Sequence, residues 1–520
     1  MSTPGEWKPS FNPWLIATAV MLATFMEVLD TSVANVALPH IAGNLSATAD
    51  ESTWVLTSYL ISNAIVLPTT NWLGHVFGRK RFLIVCIGIF TLSSALCGAA
   101  TSLEMLLVAR VLQGAGGGAL QPIAQAVLLE SFPASKRGSA MAVYGMGIVV
   151  APIIGPTLGG WITDNYSWRW IFYINIPIGI IAALMAQTVI EDPPYIRNQR
   201  PGRIDYIGFG LMAIGLASLQ IVLDKGQEED WFSSAFVTRM IVIAIVSLLG
   251  FIAWELWTKD PIVNLRVFAN RNFAVGTGLI AAMGLVLYGT TALLPLFLQT
   301  LLGYPALQSG LAVSPRGIGA VISMIVVGRL IGKIDTRYLI MVGFAVIGIS
   351  TYFLGYINLQ ISIRSVVWPL ITSGLALGFV FVPLTVISTG TLSNEQIGNA
   401  TGLYNLMRNV GGSFGIAAVT TMLARGSQVH QASMVQHLTP YDPAFQQRLA
   451  DIATRMSAHA DAVTASQQAY GTIYQVLVRQ ATLLAYIDIF RFLAFLCVIC
   501  VPAALLFKRV RARGAPTAMH

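Results

Sequence analysis

The feature that most constrains this chain is a series of apolar segments, each about 20 residues long, that recurs along its whole length. A hydrocarbon core about 30 Å thick needs about that many apolar residues per crossing helix. Only 10% of the 520 residues are charged, against about 25% in soluble domains. The segments lack the strict alternation that a membrane barrel strand requires. The sequence therefore predicts an all-α membrane protein.

Fourteen segments qualify as membrane-crossing helices. They lie near 14–38, 54–74, 82–101, 105–128, 138–161, 169–190, 204–223, 236–257, 273–299, 308–331, 338–357, 365–389, 400–424 and 479–507. The first run is too long for a signal-peptide core and lacks a cleavage site, so we expect it to stay as a helix.

Basic residues occur in every second connection between these segments. They are Arg79, Lys80, Arg81, Lys136, Arg137, Arg197, Arg200, Arg203, Lys259, Arg266, Arg271, Lys333, Arg337, Lys508, Arg509, Arg511 and Arg513. The remaining connections are nearly free of Lys and Arg, and the one at 224–232 is acidic. The positive-inside rule fits this pattern when the number of spans is even and both termini are cytoplasmic. We therefore predict a multi-pass inner-membrane protein, and the net charge of +8 reflects topology rather than nucleic-acid binding.

Two segments are polar rather than membrane-like. Residues 191–203 form a Pro-rich connection expected in the cytoplasm, and residues 425–478 form a long polar loop expected outside. Within that loop, 444–456 and 466–480 are predicted to be helical. The loop is interpreted either as a solvated cap or as a docking surface for a partner.

Charged residues inside apolar segments are functional candidates, because burying one in lipid costs about 2.5–3.5 kcal/mol. The first segment holds Glu27 and Asp30 three residues apart, and therefore on one helical face. Two carboxylates this close in a low dielectric repel one another, so one of them can hold and release a proton. The alternative is an ion pair that only joins helices. Arg110 in the fourth segment is the expected counter-ion.

Glycine and proline mark the fourth and fifth segments. Arg110, Gln113, Gly114 and Gly117 share one helical face, and no strand or GK[ST] sequence accompanies the glycines, which indicates close packing rather than a nucleotide loop. The fifth segment contains GIVVAPIIGPTLGG at 147–160. Its density of Gly and Pro predicts a bent helix whose small faces can slide or rock.

Later segments supply further charges. Asp488 and Arg491 lie three apart, which fits either an internal salt bridge or a role with protons or substrate. Arg408 follows Tyr404 by one turn and is expected to face inward, whereas Arg316 is expected to snorkel toward the outer side. The four cysteines lie in apolar segments, and Cys497 and Cys500 have no metal-binding context, so they are assigned to packing. A weak internal echo relates 71–80 to 328–337 and suggests repeated halves.

Together these residues resemble the fourteen-helix drug:proton antiporters (DHA2) of the major facilitator superfamily, in particular their EmrB-like branch. Leu29-Asp30-Thr31 together with residues 35–39 is similar to the family signature LDxTxxNVALP. Residues 110–114 are similar to the family's RxxxG motif, and residues 147–160 are similar to its antiporter motif. The segments 168–179, 218–234 and 261–276 are also similar to this branch. The likeness covers nearly the whole chain.

The resemblance implies two six-helix bundles with two additional helices between them. The first bundle would cover 1–190, the linker and extra pair 191–271, and the second bundle 272–520, including the loop 425–478. The resemblance also implies a secondary transporter, not an enzyme, driven by the proton gradient without cofactor or metal. It would export lipophilic toxic compounds with a periplasmic adaptor (EmrA-like) and an outer-membrane channel, and have no nucleic-acid partner.

The resemblance also implies roles in proton coupling for three residues, with Asp30 as the main carboxylate, Arg110 as its charge partner and Glu27 as an auxiliary site. Asp488, a charge within the last segment, is a further candidate for proton coupling. The substrate cavity is expected to include Asn35, Gln113, Tyr404 and Arg408. The antiporter motif contributes Gly147, Pro152, Gly155, Pro156, Gly159 and Gly160, and the cytoplasmic gate loop contributes Gly78, Arg79 and Lys80.

One departure from the family pattern concerns that gate loop. The family motif GxLxDxxGRK is altered here, because Asn71 replaces its glycine and His75 replaces its aspartate. We therefore expect the acidic partner of the loop's charge network to be missing.

Other classes of protein are disfavoured by the sequence. An ATP-driven pump would need a nucleotide domain, and a membrane enzyme would need a metal cluster or a nucleophile–base set. The remaining alternatives are an exporter of one physiological solute, such as a fatty acid or siderophore, and a proton-coupled importer.

Overall fold

The structure is a computed structural model that describes residues 9–133, 136–192, 205–459 and 461–508. The described residues are almost entirely helical, and their only β-type pairing is an isolated bridge between Ile331 and Ile334. The α-helices are α1 (Pro13–Asn44), α2 (Ala49–Phe77), α3 (Arg79–Ala99), α4 (Leu103–Gly117), α5 (Leu120–Ser131), α6 (Arg137–Asn165), α7 (Trp170–Tyr173), α8 (Asn175–Val189), α9 (Tyr206–Lys225), α10 (Ala235–Trp257), α11 (Arg271–Thr300), α12 (Ala306–Val313), α13 (Pro315–Leu330), α14 (Thr336–Leu354), α15 (Ile363–Thr389), α16 (Asn394–Val435), α17 (Pro443–Met456) and α18 (Ala462–Ala503).

These helices form fourteen spans, as the sequence predicts. The pairs α4–α5, α7–α8 and α12–α13 each make one span, and α17 lies apart from the spans. Within the described ranges, twelve spans are long and apolar enough to cross a membrane by composition. The other two are α2 and α16, of 29 and 42 residues. Apolar side chains on the outer surface, such as Leu92 and Val108, are more than 60% exposed, as lipid-facing residues are.

The six spans of α1–α8 form a first bundle, and the six spans of α11–α18 form a second. Within the first bundle α1 packs on α6 and α8, and within the second α11 packs on α16 and α13 on α15. Between the bundles, α6 contacts α13 and α15, while α16 contacts α2 and α5. The additional helices α9 and α10 pack on each other, and α9 also contacts α2 and α16. The first additional helix therefore touches both bundles.

We name the two sides of the helix bundle by the parts of the chain that lie there. The terminal side is the side where α1 begins and α18 ends, and the loop side is the opposite one, which carries α17. On the terminal side, the turns after the second and tenth spans each use a glycine of positive φ, Gly78 at 80° and Gly332 at 90°. The two echoed segments therefore end in similar turns, although Gly332 aligns with His75 rather than with Gly78.

The polar segment 425–478 is a helical extension rather than a loop. Helix α16 continues to Val435, and α18 begins at Ala462. The helix predicted at 444–456 is confirmed as α17, and 466–480 lies inside α18. Phe445 and Leu449 of α17 pack against Ala469 of α18. The connection predicted at 191–203 lies, beyond residue 192, outside the described residues.

Candidate functional site

The centre of the first bundle holds a buried ion pair between α1 and α4. Arg110 Nη1 lies 2.6 Å from Asp30 Oδ2, and both side chains are almost wholly buried. The other carboxylate oxygen, Oδ1, accepts hydrogen bonds from Gln113 Nε2 at 2.9 Å and from Asn175 Nδ2 at 2.7 Å. Both carboxylate oxygens therefore have donors, as a charge at this depth requires.

The arginine of this pair is held from several directions. Arg110 Nε donates to the carbonyl of Val55 at 2.9 Å, and Nη1 also donates to Gln113 Oε1 at 2.7 Å. Its guanidinium lies 4.4 Å from the ring centroid of Tyr59. Gly114 permits this close approach of α4 to α2, because a Cβ there would collide with the carbonyl oxygen of Tyr59. The glycines of α4 thus serve packing, as the sequence indicated.

Glu27 occupies a second buried position, one turn before Asp30 on α1. Its Oε1 accepts from the Tyr59 hydroxyl and from Asn63 Nδ2, both at 3.2 Å, and its Oε2 accepts from Gln121 Nε2 at 2.6 Å. These donors are all neutral. Tyr59 links the two carboxylates, because its hydroxyl binds Glu27 while its ring faces Arg110.

The Glu27 cluster is connected to the second bundle. Arg408 of α16 is buried, and its Nη2 donates to Gln121 Oε1, the same amide that binds Glu27. One turn away, Asn405 Nδ2 donates to Gln125 Oε1 at 2.7 Å. Thus a single side chain, Gln121, joins a carboxylate of one bundle to an arginine of the other.

The residues expected to line the substrate cavity occupy different surroundings, although Tyr404 and Arg408 lie one turn apart on α16. Gln113 belongs to the Asp30 network instead, and Tyr404 is fully buried with its hydroxyl accepting from Thr385 Oγ1 at 3.2 Å. Asn35 lies on an exposed position of α1. Helical spacing showed which residues face inward, but it did not reveal that two of them are packed within their own bundle.

Asp488 is separate from the proton-coupling network predicted for it. Its side chain is 54% exposed, and its Oδ2 lies 2.8 Å from His430 Nε2 on the extension of α16. The internal salt bridge with Arg491 is not among the ion pairs of the described residues. Because α16 continues to Val435, it brings His430 within reach of Asp488.

Arg316 does not snorkel as expected. It is 6% exposed, and its Nη1 donates to Thr290 Oγ1 and Thr291 Oγ1 of α11, both at 3.2 Å. The arginine therefore points into the second bundle rather than toward the outer surface.

The antiporter motif places its glycines against α1. Added Cβ atoms would meet Met21 at Gly147, the side chain of Ser32 at Gly155 and the backbone of Val33 at Gly159. A Cβ at Gly160 would meet nothing within 4 Å. Three of the four glycines thus set the distance between α6 and α1.

The opposite face of α6 meets the second bundle. Gly317 of α13 packs on Ile153, and Gly310 of α12 lies beside Pro156 and Thr157. Although it contains Pro152 and Pro156, α6 is continuous from Arg137 to Asn165. The carbonyl of Pro152 accepts from Ser32 Oγ at 3.3 Å.

The gate loop has acidic partners after all, contrary to the expectation from Asn71 and His75. Arg79 is buried and forms an ion pair with Glu130 at the end of α5. The backbone N–H of Lys80 donates to Asp192 Oδ1 at 2.8 Å. Gly78 leads into this turn, and a Cβ there would come 2.7 Å from Asp192 Oδ2. Carboxylates from the end of α5 and from the connection after α8 therefore contact the gate loop, although the motif's own aspartate is missing.

Comparison with known proteins agrees with this architecture. Residues 20–416 match the Major Facilitator Superfamily. The chain belongs to this superfamily. It is 40% identical to the Multidrug export protein EmrB of Haemophilus influenzae over 433 residues, which cover 83% of this chain and 84% of that protein. It is also 37% identical to the Fatty acid resistance protein FarB of Neisseria gonorrhoeae over 494 residues, or 95% and 96% of the two chains.

A solved structure supports the major facilitator fold independently. The human organic anion transporter MFSD10 (TETRAN) matches with a TM-score of 0.58 and 13% sequence identity, covering 94% of this chain and all of that one. This major facilitator protein is therefore an EmrB-like multi-pass transporter of the inner membrane and not an enzyme.

Several residues of the site escaped the sequence analysis. Tyr59, Asn63, Gln121 and Asn175 are uncharged, and an amide or hydroxyl in an apolar segment is a weak signal by itself. Glu130 stands at the end of an apolar segment, where a carboxylate resembles an ordinary loop residue. Its position opposite Arg79 depends on how two helices meet, which the sequence does not state.

Proposed function

We propose that this protein is a proton-coupled antiporter that exports hydrophobic toxic compounds across the inner membrane by alternating access. The observation that carries the proposal is the link from Glu27 through Gln121 to Arg408. It joins a buried carboxylate of the first bundle to the second bundle. The name of the EmrB relative, a multidrug export protein, supports the class of substrate.

Glu27 is the residue that we propose to carry the proton. Protonating Asp30 would leave Arg110 as a buried cation without its counter-ion, which is costly. Protonating Glu27 breaks no ion pair, because its hydrogen-bond donors are neutral. The resemblance implied the opposite ranking, with Asp30 first, and the geometry favours Asp30 with Arg110 as the fixed element beside it.

Proton binding would then loosen the contact between the bundles. A neutral Glu27 holds the Gln121 amide less strongly than a carboxylate does, because hydrogen bonds to charged acceptors are stronger. Gln121 is also the acceptor for Arg408. Loss of charge on Glu27 therefore weakens a contact that keeps the bundles together.

The direction of transport follows from the topology that we propose. With both termini in the cytoplasm, the terminal side is cytoplasmic, and side-chain hydrogen bonds join the two bundles toward that side. A proton entering from outside would reach Glu27, release the closed side and expose the cleft to substrate in the cytoplasm. Return to the present form would carry the substrate outward. Energy comes from the proton gradient, so no cofactor is needed.

We further propose that the protein works with a periplasmic adaptor of the EmrA type and an outer-membrane channel. The helical extension formed by α17 and the ends of α16 and α18 stands on the loop side, where such an adaptor would bind. Its exposed Tyr441, Tyr470 and Tyr474 are residues of the kind enriched at protein interfaces.

Reconstitution tests the antiport. In liposomes with an imposed pH gradient, we expect ethidium to move uphill, opposite to protons, and to stop when an ionophore collapses the gradient. Glu27→Gln should abolish this movement, whereas the matched control Asp488→Asn should retain it. Ethidium movement that ignores the gradient, or equal loss in both variants, would contradict the proposal.

A second candidate is an exporter dedicated to a fatty acid. It is favoured by the similarity to the Fatty acid resistance protein FarB, which extends over 95% of this chain. A comparison of ethidium with fatty acids in the same liposomes separates the two functions.

A further inference from the structure

We propose that Arg316, positioned by Thr290 and Thr291, binds the carboxylate of amphiphilic monoanionic substrates. The inference rests on the proposed export function and names a substrate class for it. It is carried by the hydrogen bonds of the guanidinium, by the distribution of charge in the second bundle and by the position of Arg316 beside the first.

The guanidinium of Arg316 has one edge fixed and one edge available. Both threonine hydroxyls accept from Nη1. Nε is buried without a hydrogen-bond partner among the described residues, and in the same part of the chain no hydrogen bond joins Nη2 to another group. Nε and Nη2 form the edge on which two parallel N–H groups bind a carboxylate. The threonines thus orient the side chain and leave this edge for a ligand.

Along α11 to α16 the acidic residues of the second bundle stand only at helix starts, and Asp488 of α18 lies 2.8 Å from His430. The sequence has no Asp or Glu between Asp260 and Asp335, none between Asp335 and Glu395, and none between Glu395 and Asp442. Asp335 and Glu395 stand at the starts of α14 and α16 on the terminal side. A buried arginine is costly unless it meets a counter-charge, and a bound anion supplies one.

Arg408 provides the contrast within the same bundle. It too is a buried arginine, but it reaches across to Gln121 and the Glu27 cluster of the first bundle. Arg316 has no such link to a carboxylate in the described ranges. Both arginines keep nitrogen atoms without a hydrogen-bond partner in the described ranges, but only Arg408 is linked, through Gln121, to a carboxylate.

Arg316 lies well inside its span, next to the first bundle. It stands ten residues beyond Ala306, where α12 begins, so it lies roughly 15 Å along the helix. The next residue, Gly317, packs on Ile153 of α6. A carboxylate bound there would leave an apolar tail at the junction of the bundles, inside the membrane.

Ligands that share a tail but differ in head group test the assignment. We would measure the binding of octanoate, octyltrimethylammonium and octanol to the whole protein in lipid nanodiscs by calorimetry, subtracting empty nanodiscs. For Arg316→Gln we expect octanoate binding to weaken by about tenfold or more, as befits the loss of a charge-assisted contact. Binding of the cationic ligand should be unchanged. Arg316→Lys should weaken octanoate binding less than Arg316→Gln does.

The matched control is Arg491→Gln, which removes an exposed arginine and should leave octanoate binding unchanged. Failure of octanoate to bind the natural protein, or equal affinity in Arg316→Gln, would overturn the assignment. The assignment would also be overturned if Arg316→Gln bound all three ligands equally more weakly and had a lower melting temperature. Arg316 would then stabilise the fold rather than bind the carboxylate. Because binding needs no pH gradient, a failure of antiport alone would refute only the proposed function.

Discussion

At the scale of single residues, the first bundle is organised around buried charges that each need a counter-charge. Asp30 and Arg110 are both buried and lie 2.6 Å apart, and each would be a large penalty without the other. The surrounding amides and Tyr59 supply the remaining hydrogen bonds. The ion pair therefore fixes α1 to α4, while Glu27 has only neutral hydrogen-bond donors.

This difference predicts separate effects on stability. Asp30→Asn leaves Arg110 without a counter-ion and should destabilise the protein by about 3–5 kcal/mol, whereas Glu27→Gln should cost much less. Thermal melting of the purified variants measures both. The double variant Asp30→Asn with Arg110→Gln should regain part of the loss, because no unpaired charge remains. An unchanged melting temperature for Asp30→Asn would show that the pair does not hold the bundle.

The charged side chains of the site could be predicted from the sequence, but its uncharged side chains could not. Asp30 and Arg110 were paired because charges at membrane depth need partners. Tyr59, Asn63 and Gln121 carry no such requirement. Asp488 is expected from its charge to join the proton-coupling residues, whereas in the structure it lies beside His430 with about half of its side chain exposed. Which side of a helix faces the other charges depends on packing, which the spacing of charges does not show.

At the scale of elements, α6 is the helix that faces both bundles. Its glycines rest on α1, and its other face meets Gly310 and Gly317 of the tenth span. Small residues on both sides let the backbones approach closely. A helix of this kind can serve as a surface on which one bundle rotates against the other.

The glycines of α6 therefore differ in how much they tolerate. A Cβ at Gly155 would come 2.5 Å from Ser32 Cβ, whereas at Gly160 it would meet nothing. Gly155→Ala should push α6 from α1, with a cost of about 1–3 kcal/mol and slower transport. Gly160→Ala is the matched control and should be neutral or slightly stabilising. Melting temperatures and initial rates of ethidium transport compare them, and equal behaviour of both variants would contradict this packing role.

The spans were predictable because a run of 20 apolar residues has one structure available in lipid. The extension between α16 and α18 was less so. The sequence predicts helices at 444–456 and 466–480. It does not predict that α16 continues to Val435 or that α18 begins at Ala462. The sequence that follows the apolar segment is polar and rich in Ala and Gln. These residues end the apolar segment but not the helix, because Ala and Gln are good helix formers.

At the scale of the whole molecule, the two bundles are tied together on one side. Four side-chain hydrogen bonds that join α1–α8 to α11–α18 lie between the middle of the spans and the terminal side. They join Ser139 to Gly328, Thr401 to Pro122, Asn405 to Gln125 and Arg408 to Gln121. The structure is therefore closed toward the terminal side.

The additional helix α9 bridges the bundles elsewhere. Asp224 binds Thr57 of α2, and Gln220 accepts from Ser413 of α16 at 3.1 Å. After α9, Trp231 donates to Thr421 of α16 at 3.1 Å. Any rocking of the bundles must accommodate this bridge, so α9 limits how far α2 and α16 can separate.

Weakening the ties on the terminal side should shift the molecule toward the form that is open there. Asn405→Ala removes the 2.7 Å bond to Gln125 and leaves a buried amide unpaired, an effect of about 1–3 kcal/mol or a 5–150-fold change in the balance of two forms. Spin labels at Phe77→Cys and Tyr338→Cys, both exposed, report the separation across the terminal side, since the described native cysteines are buried. We expect a longer-distance population to grow in Asn405→Ala. Ser427→Ala, which removes a bond to Thr482 inside the second bundle, should leave the distances unchanged. If both variants give the distances of the parent, the amide contact does not hold the bundles closed.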